Sequence, residues 1–347
     1  MEKSVLQMSQ IELEISNPCN EKCVHCYRHC LNTQKGFLSV EQAKSALEQA
    51  KNLGAKSVTI TGGEALLNPN WKEIIKIADE LEFRISLLTN GTLLKEEYAD
   101  FLLTVKNLKE VQFSLYALDE DIHDSITGLK GSCIKTKNAI QILHSKNIPI
   151  FVSCPAMKQN KIAVTEVMKW CDNQNISSCA DIFIFGSSDY EGKNLDNRLS
   201  EDDLKDFFEI TMQDNASLSY VWGNKTSECD FSKELFYSGF SNRLLVSGDG
   251  TIYPMIGFYK KIGHIDTDKL EDVFYNNELL KQARKITIDD IPECKNCSVK
   301  EYCHFCCTPH LTANNGVFYK VDKSFCDFIK FRKEMVLRRD ELLKHKS

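Results

Sequence analysis

The chain lacks the features that direct a protein to a membrane or to the secretory pathway. Met1 to Gln10 holds no apolar core of a signal peptide, and no apolar run is long enough to span a bilayer. A basic surplus is also absent: 43 basic against 49 acidic residues give a formal charge of −6, so no positive field would attract phosphates. No internal repeat or low-complexity tract is present. These absences predict a cytoplasmic protein with no membrane or nucleic-acid partner.

The composition is that of an ordinary globular protein, with 42% hydrophobic and 27% charged residues. A length of 347 residues predicts two domains, or one barrel with an appendage. The unusual feature is the count of 15 cysteines. In a reducing compartment this count indicates metal binding rather than disulfides.

Three of these cysteines lie close together, directly after an apolar run at Ile11–Ile15. Cys19, Cys23 and Cys26 form a Cys-x3-Cys-x2-Cys run, and Tyr27 follows it. Soft sulfur ligands at this spacing suit zinc or an iron–sulfur cluster. A structural zinc site usually adds a second ligand pair, and no local fourth ligand is evident. A cubane held by three cysteines would keep one iron open, while a zinc knuckle or a redox thiol set remains an alternative.

Strand and helix signals alternate over the first two-thirds of the chain. Strands are predicted over Ile11–Ile15, Ser57–Thr61, Arg84–Thr89, Glu110–Leu115, Ile148–Ser153 and Asp181–Phe185. Helices are predicted over Val40–Leu53, Trp71–Leu81, Lys95–Val105, Cys133–Lys146, Ala163–Asn173 and Ser200–Met212, the first with a capping box of Ser39 and Gln42. This alternation predicts an α/β fold with a parallel sheet, a partial (β/α)6 TIM-like barrel. Chemistry in such barrels lies at the C-terminal strand ends.

A Gly62-Gly63-Glu64 sequence follows the second predicted strand at that end. The two glycines allow the backbone to approach a ligand closely, and a carboxylate there can accept hydrogen bonds from an ammonium group. A plain turn is the alternative. Together with the cysteine run one βα unit earlier, this motif resembles the radical SAM enzymes.

The resemblance implies that S-adenosylmethionine chelates the open iron of a [4Fe–4S] cluster on Cys19, Cys23 and Cys26. One electron, from a donor such as flavodoxin or ferredoxin, would then cleave it to methionine and a 5′-deoxyadenosyl radical. The residues that the resemblance assigns to binding this cofactor are Tyr27, Gly62, Gly63, Glu64, Asn90 and Ser114. Glu64 would hold the methionine amino group, and Asn90 and Ser114 the carboxylate or ribose. A helix cap or turn is the alternative role of the last two.

A second cysteine run lies near the C-terminus and consists of Cys294, Cys297, Cys303 and Cys307, with Cys326 further on. It resembles the SPASM domain, an auxiliary-cluster extension of many radical SAM enzymes. The resemblance implies that Cys294, Cys297, Cys303 and Cys326 hold one auxiliary [4Fe–4S] cluster. A zinc ribbon is the alternative.

The sequence departs from the full SPASM pattern at the second auxiliary cluster. Met255 stands where a cysteine is expected after Gly250, and Cys229 lies too far upstream to replace the missing ligand. We therefore expect two clusters per chain. Cys307 and Cys229 become candidate hydrogen-atom donors to a substrate radical, although the favoured interpretation of Cys229, Cys306 and Cys307 is that they are small buried hydrophobic residues, as free cysteines usually are.

The domain boundary is predicted near Asn224, giving a barrel over residues 1–224 and an auxiliary-cluster domain over 225–347. Leu244–Tyr253 predicts a β-hairpin that turns at Gly-Asp-Gly. Lys323–Lys346 predicts a solvated terminal helix, with leader docking as a weaker alternative. His123, in a predicted loop, is interpreted as a structural brace.

By analogy with its family, the chain is predicted to be a maturase of a ribosomally made precursor peptide. Its product would be a thioether or carbon–carbon crosslink, or an epimerised residue. Met1 to Gln10 leaves no room for a leader-binding domain, so leader recognition would require a separate protein or the C-terminal domain. A dehydrogenase or decarboxylase of a small molecule is the alternative function.

Overall fold

The computed structural model describes residues 6–28, 36–214, 222, 235–303 and 307–344. Within these ranges a parallel sheet begins the fold, with the strands in the order β6-β5-β4-β3-β2-β1. These strands are β1 (Gln10–Ser16), β2 (Ser57–Gly62), β3 (Arg84–Thr89), β4 (Leu108–Ser114), β5 (Ile150–Ser153) and β6 (Ser177–Cys179). The predicted partial barrel is confirmed.

Helices follow the strands and pack on the outer face of the sheet. They are α1 (Val40–Asn52), α2 (Trp71–Glu80), α3 (Glu96–Leu102), α4 (Glu120–Thr127), α5 (Ser132–Ser145), α6 (Ala163–Asn173) and α7 (Glu201–Asp214). The predicted capping box begins α1: the Ser39 hydroxyl accepts from the Gln42 amide, and the Gln42 side chain accepts from the Ser39 amide. This reciprocal pair satisfies two backbone donors at the helix start.

The strand β1 shows why charged residues occur inside the barrel. Ile11, Leu13 and Ile15 are fully buried on one face, and Glu12 and Glu14 are buried on the other. Because successive side chains of a strand point to opposite faces, the two glutamates share the face opposite Ile11, Leu13 and Ile15. Each carboxylate has an arginine partner, Arg243 for Glu12 and Arg28 for Glu14. Burial raises the pKa of Glu12, and such charges require partners.

The C-terminal part of the chain extends the same sheet. The strand β7 (Arg243–Val246) pairs parallel with β1 and antiparallel with β8 (Thr251–Tyr253), which pairs with β9 (Gly263–His264). The predicted hairpin is thus confirmed. The helices that follow are α8 (Leu270–Asn276), α9 (Glu278–Ala283), α10 (Pro292–Lys295), α11 (Cys307–Ala313) and α12 (Lys323–Lys344). The boundary predicted near Asn224 lies outside the described residues and stays a prediction.

Three predictions about single elements were wrong. The sixth strand is Ser177–Cys179 rather than Asp181–Phe185, and His123 lies in α4 rather than in a loop. The terminal helix α12 is not solvated on all sides. One face of α12 is buried, with Phe325, Phe328, Ile329, Phe331, Arg332, Met335, Val336 and Arg339. Its mixed charges suggested a solvated helix, but long basic side chains can be buried with their apolar stems packed against the protein.

No helix in the described part of the chain has the length and apolar character needed to cross a membrane.

Candidate active site

A cavity of about 520 Å³ opens at the C-terminal ends of the parallel strands. Its walls come from the cysteine segment after β1, from the ends of β2 to β6 and from the C-terminal helices. The residues lining it include Cys19, Glu21, Cys23, His25, Cys26, Tyr27, Arg28, Thr61, Gly62, Gly63, Thr89, Asn90, Gln112, Ser114, Tyr116, Asp181, Phe183, Phe185, Pro309 and Phe325. The first cysteine run and most of the predicted cofactor-binding residues therefore share one cavity.

Backbone hydrogen bonds fix the segment that carries the three cysteines. The amides of Lys22 and Val24 donate to the last turn of α4, at 2.8 and 2.9 Å. From the other side, the Asn197 side chain donates to the Val24 carbonyl at 3.0 Å and the Asn194 side chain donates to the His25 carbonyl at 3.3 Å. Main-chain contacts on both sides thus hold the thiols at the cavity wall.

Arg28 anchors the end of this segment inside the barrel. Its Nε lies 2.9 Å from Oε1 of Glu14, and both side chains are nearly inaccessible to solvent. The Tyr259 hydroxyl also donates to Glu14, at 2.5 Å. Burial acts to lower the pKa of Arg28, but Glu14 and neighbouring tyrosines raise it above its usual value. The ion pair therefore links the cysteine segment to β1 and to the region after β8.

We expect Arg28→Met to lower the free energy of unfolding by about 3–5 kcal/mol, because it leaves the Glu14 carboxylate buried without its cation. Denaturant titration of the purified protein measures the change. Lys44→Met is the matched control, because Lys44 pairs with Glu48 on the exposed surface. Exposed pairs contribute little to the free energy of unfolding. Equal losses in the two variants would contradict the assignment. Adding Glu14→Gln to Arg28→Met is expected to restore part of the loss.

The electrostatics of the thiols are consistent with metal ligation. Burial raises the pKa of Cys19 to about 12, and burial with nearby Glu21 and the other two thiols raises that of Cys23. Deprotonating several buried thiols side by side is unfavourable unless a cation compensates, as a bound metal does. The donor set therefore fits an iron–sulfur cluster.

Across the described ranges, no three His, Cys, Asp or Glu side chains are arranged to hold a single metal ion. A cubane binds each thiolate to a different iron, so its ligands stand further apart than those of one ion.

The Gly62-Gly63 pair lies against the start of the cysteine segment. A Cβ on Gly62 would lie 2.3 Å from the Ser16 carbonyl, and one on Gly63 would lie 2.4 Å from that of Pro18. Gly62 also has a φ of +152°, which side chains rarely adopt. Both positions require glycine, and both residues line the cavity.

The Glu64 side chain is buried behind this pair and forms hydrogen bonds within the protein. Its Oε1 accepts from the Thr89 hydroxyl at 2.7 Å and from the Leu66 amide at 3.0 Å, and Oε2 accepts from the Asn90 amide at 2.7 Å. These bonds connect the ends of β2 and β3. Contact of Glu64 with an ammonium group stays a prediction. A carboxylate that accepts three hydrogen bonds retains capacity for a further one.

The other predicted cofactor contacts have distinct surroundings. Asn90 donates to Asn20 Oδ1 at 2.9 Å, with its Nδ2 4.0 Å from Cys19 Sγ. Ser114 lines the cavity at the end of β4. The Tyr27 ring lies 5.2 Å from that of Phe185, and the Tyr27 carbonyl accepts from the Ser188 amide at 2.8 Å. All three positions remain cofactor-contact predictions.

His123 acts as the predicted structural brace, although within a helix. Its Nδ1 accepts from the Tyr116 amide at 3.2 Å, and burial lowers its pKa to about 4, so the ring is neutral. Asp124 next to it accepts from the Gly131 amide, the Ser132 hydroxyl and the Cys133 amide. These bonds cap the start of α5.

The second cysteine run also gathers in space. The thiols of Cys294, Cys297, Cys303 and Cys326 interact electrostatically with one another. Burial raises the pKa of Cys294 and Cys303 to about 12 and that of Cys326 to about 11. The four predicted auxiliary ligands are therefore neighbours, at the junction of α10, the following 3₁₀ turn and α12.

Of the two candidate hydrogen donors, Cys307 and Cys229, only Cys307 lies among the described residues. Cys307 is 4% exposed, and its thiol lies 3.9 Å from the Met255 sulfur. It is not among the residues that line the cavity. Cys229 and Cys306 lie outside the described residues. The hydrogen-donor role of Cys307 and Cys229 thus stays a prediction.

Comparison with known families identifies the class that the fold and the cysteine segment define. Residues 13–171 match the profile of the Radical SAM superfamily, so the chain carries a radical SAM domain. The cofactors predicted from the sequence, S-adenosylmethionine and a [4Fe–4S] cluster, are those of this family.

Particular relatives include a maturation protein and a bacteriocin biosynthesis protein. The chain is 28% identical over 276 residues to the sporulation killing factor maturation protein SkfB of Bacillus subtilis, covering 75% of this chain and 63% of SkfB. It is 33% identical over 147 residues to the subtilosin biosynthesis protein AlbA of the same organism, covering 42% of this chain and 33% of AlbA. The chain thus spans less than two thirds of the length of these curated relatives.

A solved structure confirms that the fold continues through the C-terminal part. Native anSMEcpe, with bound AdoMet and the Cp18Cys peptide, superposes with a TM-score of 0.71 at 19% identity. The match covers 98% of this chain and all of that one.

Sequence reasoning missed several charged residues of the cavity region. Glu14, Arg28 and Asp181 were not predicted as site residues. The alternation Ile11-Glu12-Leu13-Glu14-Ile15 was the available signal for the first of them, because acidic residues at every second position of a buried strand share one face. Asp181 had no signal, since its position depends on where β6 ends.

Proposed function

We propose that this chain is a radical SAM enzyme that modifies a ribosomally made peptide in the cytoplasm. The observation that carries the proposal is the convergence of Cys19, Cys23 and Cys26 on the cavity rim formed by Gly62 and Gly63. When bound, the cluster and S-adenosylmethionine supply a 5′-deoxyadenosyl radical by one-electron cleavage. The three thiols would hold the cluster.

The remaining residues of the cavity would bind, orient and enclose S-adenosylmethionine. The Gly62-Gly63 backbone permits close approach of the methionine moiety, with Glu64 behind it available to its ammonium group. Asn90 and Ser114 would contact the carboxylate or ribose of the cofactor, and Tyr27 would also contact the cofactor. Phe183, Phe185 and Phe325 line the same cavity; a substrate bound against their rings would exclude water, which protects a radical from side reactions.

A peptide substrate is supported by SkfB, a sporulation killing factor maturation protein, by AlbA, a biosynthesis protein of the bacteriocin subtilosin, and by the peptide bound to anSMEcpe. The precursor peptide, an electron donor such as flavodoxin or ferredoxin, and a separate leader-binding protein are the proposed partners. The four C-terminal thiols, Cys294, Cys297, Cys303 and Cys326, would hold one auxiliary [4Fe–4S] cluster. We propose a barrel over residues 1–224 and an auxiliary-cluster domain over 225–347.

The test is anaerobic reconstitution, reduction with dithionite and mass spectrometry of two products. Release of 5′-deoxyadenosine is expected from the protein, and modification is expected in a short precursor peptide encoded beside its gene. A loss of two hydrogens in the peptide indicates oxidation or crosslinking. An unchanged mass in water with one deuterium gained in heavy water indicates epimerisation. No 5′-deoxyadenosine would refute the enzyme class, and an unmodified peptide would favour a small-molecule dehydrogenase or decarboxylase.

A further inference from the structure

Asp181 lies on the wall of the cavity just beyond β6. The amide of Ala156 donates to its carbonyl at 2.8 Å, as that of Cys154 does to the Cys179 carbonyl at 2.9 Å. The chain therefore stays extended beside the end of β5. Asp181 lies two residues beyond Cys179, the last residue of β6, and lines the cavity.

The Asp181 carboxylate is unpaired within the described part of the chain. It forms no hydrogen bond or ion pair there, and desolvation by the surrounding protein raises its pKa above the usual value. The residue as a whole is nonetheless exposed to solvent, so a ligand can reach it. Of the described lining residues, Arg28 carries the permanent positive charge, and that charge pairs with Glu14. A carboxylate in such surroundings gains most from a cationic ligand.

Aromatic rings line the same cavity. Phe183 and Phe185 follow Asp181 and line the cavity with Phe325 of α12, whose ring lies 5.0 Å from that of Phe183. Phe183 already accepts one cation, since the Arg198 guanidinium carbon lies 4.1 Å from its ring centroid. A carboxylate and aromatic faces that line one cavity attract an ammonium or guanidinium by charge and by cation–π contact.

We propose that Asp181, with the Phe183 and Phe325 rings, binds a lysine or arginine side chain of the substrate in this cavity. The proposal rests on the proposed function and names the substrate residue that the cavity selects. Asp181 would act as a specificity residue, placing the charged end of that side chain against β6. The carbon chain of the substrate residue would then run along the aromatic rings toward the cysteine segment.

The test uses reconstituted protein with S-adenosylmethionine and no reductant, so that binding is measured without turnover. Two probes are titrated by NMR: N-acetyl-lysine methylamide, and N-acetyl-norleucine methylamide, which lacks the charge. We expect the lysine probe to bind at least about tenfold tighter to the unaltered protein. Asp181→Asn should abolish this preference, and Asp181→Glu should retain part of it. Asp172→Asn, on the exposed face of α6, should retain all of it.

Three results would overturn the proposal. They are equal binding of the two probes, an unchanged preference in Asp181→Asn, and a large loss of S-adenosylmethionine affinity in Asp181→Asn with the preference intact. The last result would assign Asp181 to the cofactor instead. The same protein, reduced with dithionite, reports separately on the proposed function. Absence of 5′-deoxyadenosine alongside an intact lysine preference would refute the function and leave the binding site standing.

Discussion

Cys23→Ala is expected to abolish reductive cleavage of S-adenosylmethionine, lowering the rate by at least about a thousandfold. The loss follows because Cys23 lies between Cys19 and Cys26 on the cavity wall, and a three-cysteine cluster has no spare ligand. Iron content should fall by about four atoms per chain. Release of 5′-deoxyadenosine under dithionite and colorimetric iron analysis measure the two effects. The same result is expected for Cys26→Ala.

Cys133→Ala is the matched control for this loss. Cys133 is fully buried in α5, with its thiol 3.6 Å from the carbonyl oxygens of Ala117 and Leu118. It therefore occupies space and forms weak hydrogen bonds, and its removal should leave iron content and cofactor cleavage unchanged. Full cleavage activity in Cys23→Ala, or zinc in place of iron in the freshly prepared protein, would contradict a radical SAM cluster at this site.

The sequence was most informative where one short segment determines its own geometry. The first cysteine run and Gly62-Gly63 could be predicted to share one site because both follow parallel strands whose carboxyl ends meet at one edge. The structure adds why glycine is required: a Cβ on Gly62 would overlap the Ser16 carbonyl at the end of β1, and one on Gly63 would overlap the Pro18 carbonyl. The Gly-Gly motif could be read from the sequence, but this contact between two separate segments could not.

Contacts between distant segments could not be predicted. The end of β6 depends on pairing with β5, so the strand predicted over Asp181–Phe185 was displaced and Asp181 was overlooked. The pairing of β7 with β1 joins residues more than 230 positions apart, and no local pattern specifies it. Arg243, the partner of Glu12, is distant in the same way, whereas Arg28, the partner of Glu14, lies in the cysteine segment directly after β1. The alternation of the two glutamates in β1 indicated a buried polar face, but which cations would meet it depended on the whole fold.

Cys297→Ala tests whether the chain holds one auxiliary cluster. The unaltered protein should contain about eight iron atoms, and the variant about four, while cleavage of S-adenosylmethionine without substrate continues. Cleavage should continue despite the loss of iron because the C-terminal thiols do not line the cavity that holds Cys19, Cys23 and Cys26. Modification of the peptide, measured by mass spectrometry, should be lost or strongly reduced.

Cys307→Ala provides the contrast within the same region. The Cys307 thiol packs against the thioether sulfur of Met255 at 3.9 Å, where the full pattern of the family would place a second cysteine. A thioether is a poor substitute for a thiolate in an iron–sulfur cluster. We therefore expect Cys307→Ala to keep about eight iron atoms per chain. About twelve iron atoms in the unaltered protein, falling to about eight in Cys307→Ala, would instead establish a second auxiliary cluster that recruits its ligands from elsewhere in the chain.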